Sequence, residues 1–126
     1  PWAHVFIGAE PIFYSKEVGG PLDFVSVHFY PKAGQVDRAL KALAVYDLGK
    51  PLVIEEMFPL KCSVDEMVDF ILRSRRHAHG WFGFYWGRTA EQIGPEPATL
   101  QDALKRKWLL RFRTLSAEMT GSSPDP

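Results

Sequence analysis

Glu55 and Glu56 are adjacent carboxylates closing an apolar run, in the stretch GKPLVIEEMF over residues 49–58. Two neighbouring acids repel, and a buried strand more often ends in a turn than in a charged pair. A carboxylate held by suitable neighbours can act as a nucleophile or as a general acid or base. Chemically able groups recur at similar places. Gly8-Ala9-Glu10 ends one apolar stretch, His28-Phe29-Tyr30 ends another, and Tyr85-Trp86 followed by Arg88 ends a third. Acid, imidazole, phenol and indole together form a constellation, which weighs more than any one member. Taken singly, Glu56 also fits a strand-end acid in a solvated turn, His28 and Tyr30 fit hydrogen-bonded structural groups, and Trp86 fits a core aromatic.

The elements that must position these groups can be read from the hydrophobic pattern. Strands are expected over residues 4–8, 23–30, 52–57 and 81–86, where β-branched and aromatic residues cluster. Helices are expected over 35–48, with Val36, Leu40 and Leu43 at helical spacing, and from 63 to about 77, opened by the capping box Ser63-Val-Asp-Glu66. Val64, Val68, Ile71 and Leu72 form the apolar face of the second helix. A third helix is expected over 99–118, with Leu100, Leu104, Trp108, Phe112 and Leu115 inward. Gly49 reads as a helix stop. The stretch 121–126 reads as a disordered tail. Strands alternating with helices imply an α/β fold with parallel strands joined by crossovers. In such folds ligands bind at the carboxyl ends of the strands, the edge to which all four groups are assigned.

Strand parity refines the picture. Ser26, His28 and Tyr30 share one face of their strand, and the apolar Val25, Val27 and Phe29 share the other, which suits packing against helices. On the 52–57 strand, regular alternation places Glu56 with Leu52 and Ile54 and Glu55 opposite. Both faces are apolar there, so alternation alone does not choose between the acids.

Composition narrows the function classes. Fifteen basic residues balance fifteen acidic ones in a chain of 126, so nucleic acid and anionic membrane surfaces are not expected partners. No apolar stretch approaches the roughly 20 residues of a membrane span. The opening residues lack the basic start and long apolar segment of a secretory signal, as a mature or trimmed start also would. Secreted and cytoplasmic locations both stay open. Cys62 is the only cysteine, which excludes an intrachain disulfide and reads as a spectator thiol. His77 and His79 fall on different sides of a helix, so no metal and no cofactor is expected. Arg73, Arg75 and Arg76 read as a solvated helix end.

Four segments, HVFIGAE, DFVSVHFYP, GKPLVIEEMF and GWFGFYWG, resemble strands five to eight of the retaining cellulases and mannanases of glycoside hydrolase family 5. The resemblance spans about residues 3–90. In that family strand six ends in His-x-Tyr, strand seven ends in a proline-led apolar run whose final Glu is the nucleophile, and strand eight carries a Trp beneath the sugar. The resemblance implies a (β/α)8 barrel of which residues 1–120 are the C-terminal half. It assigns Glu56 as nucleophile and His28, Tyr30 and Trp86 as substrate-binding residues, with Trp81 a further candidate platform; Glu10, at the end of the first strand, is a candidate substrate-binding residue by its position alone. The implied partner is a β-linked oligosaccharide or polysaccharide.

The chain departs from the pattern in one respect. A complete barrel takes about 250 residues, and the family's acid/base lies in an Asn-Glu-Pro setting, whereas this sequence has no Asn. Ala9-Glu10-Pro11 looks similar, but the eleven residues between Pro11 and Asp23 are too few for a helix and another strand. The second carboxyl is therefore expected from a missing N-terminal half-barrel or from a homodimer partner. A non-catalytic half-barrel serving carbohydrate binding or assembly is the alternative.

Overall fold

A computed structural model describes residues 16–121. The expected strand at 4–8, the candidate residue Glu10 and most of the expected tail lie outside the described residues. The chain divides into two compact units, Pro1–Phe84 and Tyr85–Pro126, each described by itself.

The first unit is α/β. Its described elements are α1 (Lys16–Gly19), β1 (Val25–His28), α2 (Val36–Ala44), β2 (Leu52–Met57), α3 (Val64–Ser74) and β3 (Gly80–Gly83). The strands form a parallel sheet in the order β1-β2-β3. Consecutive strands are thus neighbours, with a helix in the first two crossovers, as the alternation implied. β1 and β3 are shorter than expected. The four-residue α1 was not among the expected elements; it falls in a Pro- and Gly-containing stretch between Pro11 and Pro21. Gly19 is buried there, and a Cβ at that position would collide with the Leu48 side chain.

Val25, Val27 and Phe29 on the β1 side and Leu52, Ile54 and Met57 on β2 are fully buried. They meet the helical layer, where the Phe29 and Phe70 rings stack at 5.6 Å. From α2 the core takes Val36, Ala39, Leu40 and Leu43, and from α3 Val64, Met67, Val68, Phe70 and Ile71. Leu72 is exposed, against expectation. The buried stripe of α3 runs through Met67, Phe70 and Ser74, and residue 72 lies past its edge. α2 ends at Ala44 rather than near 48, because its last turn tightens into i→i−3 bonds from Val45, Tyr46 and Asp47. Gly49 follows in the left-handed region, with φ 77, beyond the helix rather than as its cap.

Ser63 and Glu66 close the expected capping box at the start of α3. Glu66 also accepts the Gly34 N–H at 2.7 Å, and Ala33 N–H donates to Lys61 O at 2.8 Å. These bonds join the loop after β1 to the loop after β2.

The second unit holds α4 (Ala90–Ile93) and α5 (Leu100–Thr120). Thr89 and Gln92 form a capping box on α4, and Arg113 of α5 pairs with Glu91 of α4 at 2.5 Å. The inward face expected for α5 is only partly realised. Trp108 and Leu115 are buried, while Leu100 and Leu104 are exposed. Gly121 is the left-handed cap of α5, its N–H bonding Ala117 O. It belongs to the helix end rather than to a tail.

Candidate active site

The site lies at the carboxyl end of β1 and β2, on the sheet face away from α2 and α3. Its construction depends on an irregularity. Val27 pairs with Ile54, but the next residue, His28, pairs with Glu56. Glu55 is thereby the extra residue of a β-bulge, with two residues of β2 opposite one of β1. The β2–β3 register shifts over the same stretch, since Ile54 pairs with Trp81 and Met57 with Gly83.

The bulge overturns the expectation from regular alternation. Ile54 and Met57 both face the helices and are fully buried, although they are three positions apart. The two residues between them both turn to the open face. Glu56 does not share a side with Leu52 and Ile54, and Glu55 is not helix-facing.

Both acids converge on one imidazole. His28 Nε2 lies 3.2 Å from Glu55 Oε1, and His28 Nδ1 lies 3.3 Å from Glu56 Oε2. The Tyr30 hydroxyl donates to Glu56 Oε1 at 2.5 Å. The His28 side chain is 12% exposed, Glu56 21% and Glu55 34%, so the cluster grades from shielded to open. Burial, reinforced by the hydrogen bond to Glu56 and its negative charge, pushes the Tyr30 phenol well above its ordinary range. Tyr30 is accordingly a neutral O–H donor to a carboxylate at any ordinary working pH. Both Glu56 oxygens have a partner, yet each keeps lone-pair capacity for a further contact. Such a carboxylate is oriented, partly desolvated and still accessible, as a nucleophile requires.

The other expected residues are placed differently. Trp86 belongs to the second unit and is 98% exposed, so it is not a core aromatic. Trp81 turns away from the open face: its indole N–H donates to the buried Ser74 Oγ at 2.9 Å at the end of α3. On the same strand, alternation sends the exposed Phe82 to the open face and Phe84 after it. His77 Nδ1 lies 2.9 Å from an Asp47 carboxylate oxygen, and His79 Nδ1 accepts the Leu52 N–H at 3.2 Å. These two histidines secure the start of β2. Arg73 pairs with Asp37 of α2 and Asp69, linking the two helices. Arg88 pairs with Asp102 at 2.8 Å. Among the described residues, no group of three or more His, Cys, Asp or Glu side chains is arranged to hold a metal ion, and no helix is long and apolar enough to cross a membrane.

With Leu52 and Ile54 inward, unbroken alternation would send Glu55 to the open face and Glu56 inward; the bulge brings both acids to the open face and returns Met57 to the core.

No family model, curated protein or solved structure matches the chain.

Proposed function

We propose that this chain carries the nucleophile of a retaining β-glycoside hydrolase of the cellulase and mannanase type, within part of a (β/α)8 barrel wall. The observation that supports this reading is the Tyr30 hydroxyl bonded to Glu56 Oε1 at 2.5 Å, with His28 against the other oxygen, at the carboxyl ends of adjacent parallel strands. In the first step a Glu56 oxygen forms a bond to the anomeric carbon as the glycosidic C–O bond breaks. The bonding pair leaves with the departing oxygen, which a second carboxyl protonates. Water then attacks the glycosyl ester and restores the carboxylate, giving up a proton to that same carboxyl. Tyr30 and His28 hold Glu56 through both steps. The second carboxyl of a retaining pair stands about 5–5.5 Å from the first, and Glu55 faces the same imidazole edge-on rather than across a substrate. In this reading the acid/base and the remaining strands come from an N-terminal half-barrel or a second copy.

A leaving group that needs no protonation isolates the role assigned to Glu56. A dinitrophenyl β-cellobioside and its mannobioside counterpart, each fluorinated beside the anomeric carbon, should leave a glycosyl ester on Glu56, found by mass spectrometry of the digested protein. Glu56→Gln should not label. Failure of the parent protein to label with either sugar would overturn the hydrolase reading.

A second reading is a non-catalytic carbohydrate-binding module. The exposed Phe82 and Phe84 of the first unit favour it, since flat aromatic faces pack against pyranose rings. Such a module would bind oligosaccharide equally well with Glu56→Gln and would label in neither form.

A further inference from the structure

The bulge leaves Glu55 with a contact that the nucleophile role of Glu56 does not require. Glu55 Oε1 faces His28 Nε2 at 3.2 Å, while the opposite ring nitrogen faces Glu56. Among the described residues, the ionisable groups in this cluster include Glu55 and Glu56 from β2 and Tyr30 from the segment after β1, and Tyr30 donates to Glu56.

The donor inventory of an imidazole makes this consequential. A neutral ring has one N–H and one lone pair. With Glu55 and Glu56 both ionised, either neutral tautomer turns a lone pair towards a carboxylate. Only the doubly protonated ring donates to both. A ring flipped about its Cβ–Cγ axis would set carbon atoms against both acids, so the two contacts also fix the ring orientation. We propose that Glu55 is a positioning residue. It holds His28 in the flip state and protonation state in which Nδ1–H is directed at Glu56 Oε2.

The catalytic consequence rests on the hydrolase reading. A cation beside Glu56 stabilises the negative charge that returns to that carboxylate, making it a better leaving group when the glycosyl ester is hydrolysed. Glu55 touches no reacting atom in this scheme and acts through His28.

The test has one arm that needs no turnover. Ring 15N signals of the natural protein are recorded at one fixed pH, with His28 identified by loss of its signals in His28→Gln. Both ring nitrogens of His28 should show protonated shifts. Glu55→Gln, checked for folding by circular dichroism, should return the ring to a neutral tautomer, and Glu55→Asp should restore the parent spectrum in part. Ring signals unchanged by Glu55→Gln would overturn the proposal, as would a neutral ring in the parent. In the second arm, Glu55→Gln should slow maximal labelling of Glu56 by about tenfold, the effect of losing one charge-assisted hydrogen bond, with half-saturation little changed. Unchanged labelling with altered ring signals would overturn the catalytic consequence. A parent protein that never labels defeats the hydrolase reading, while the ring arm still decides what Glu55 does to His28.

Discussion

Tyr30 reaches Glu56 from the segment just after β1, its hydroxyl donating to Oε1 at 2.5 Å across 26 positions of sequence. The bond forms because Tyr30 shares a face with His28, and the bulge delivers Glu56 to that face. Tyr30→Phe removes the donor and little else. A hydrogen bond to a charged group contributes about 1.5–3 kcal/mol, so labelling of Glu56 by the activated glycoside should slow by roughly ten- to a hundredfold. The rate of glycosyl-ester formation, followed by intact mass, checks this.

The same phenol shapes alkaline stability. Folding raises its pKa above the ordinary 10.0, first through burial and then through Glu56. Below pH 10 folded and unfolded chains both hold the proton. Above it the unfolded chain releases the proton first and so binds fewer, and stability falls as pH rises. Tyr30→Phe should flatten that decline. Urea midpoints measured from neutral pH to above pH 10 in both proteins should converge as pH increases.

Ser63 begins α3 by accepting the Glu66 N–H at 3.1 Å, and Glu66 returns to the Ser63 N–H at 2.8 Å. Ser63→Ala should cost about 1 kcal/mol, read as a fall in Tm of roughly 4–8 °C if the unit unfolds as a small domain. The Glu66 carboxyl lies below its usual range, through the Gly34 N–H and then Ser63. Its contribution is therefore present above the ordinary carboxylate pKa and lost as pH falls through the lowered one. The penalty of Ser63→Ala should shrink in acid, which thermal melts at neutral and acidic pH can check.

Cys62 should be a slow nucleophile. Burial, helped by the Glu66 charge, pushes its thiol up to about 11, so little thiolate exists near neutral pH. Iodoacetamide should alkylate it far more slowly in the folded protein than in urea, with the difference read by mass spectrometry over time.

How much of this was legible beforehand varied with the physics of each element. β2 and the capping box of α3 were readable to the residue, because an apolar run and a Ser-x-x-Glu pattern are local signals. The α4 box was equally local, in Thr89-Ala-Glu-Gln92, yet no helix was expected between the 81–86 strand and the 99–118 helix. The shared face of His28 and Tyr30 followed from alternation. That Glu55 and Glu56 both reach that face did not, because a bulge is decided by pairing on both sides of a strand, and period-2 reasoning carries no term for it. Trp86 and Trp81 both read as candidate platforms. Trp81 is tied to Ser74 at the end of α3, whereas Trp86, in the second unit, is 98% exposed.

The bulge makes Glu55 an insertion rather than a substitution. Removing that single residue would leave Val27 and His28 opposite Ile54 and Glu56, and Trp81 through Gly83 opposite Ile54 through Met57, in unbroken register on both sides. Met57 would still point inward and Glu56 outward. The sheet could therefore have been built one residue shorter with its tyrosine-held carboxylate intact, and the extra position serves the imidazole rather than the fold. Length variation at this point among related chains would be read as gain or loss of the second acid, with the strand itself unchanged.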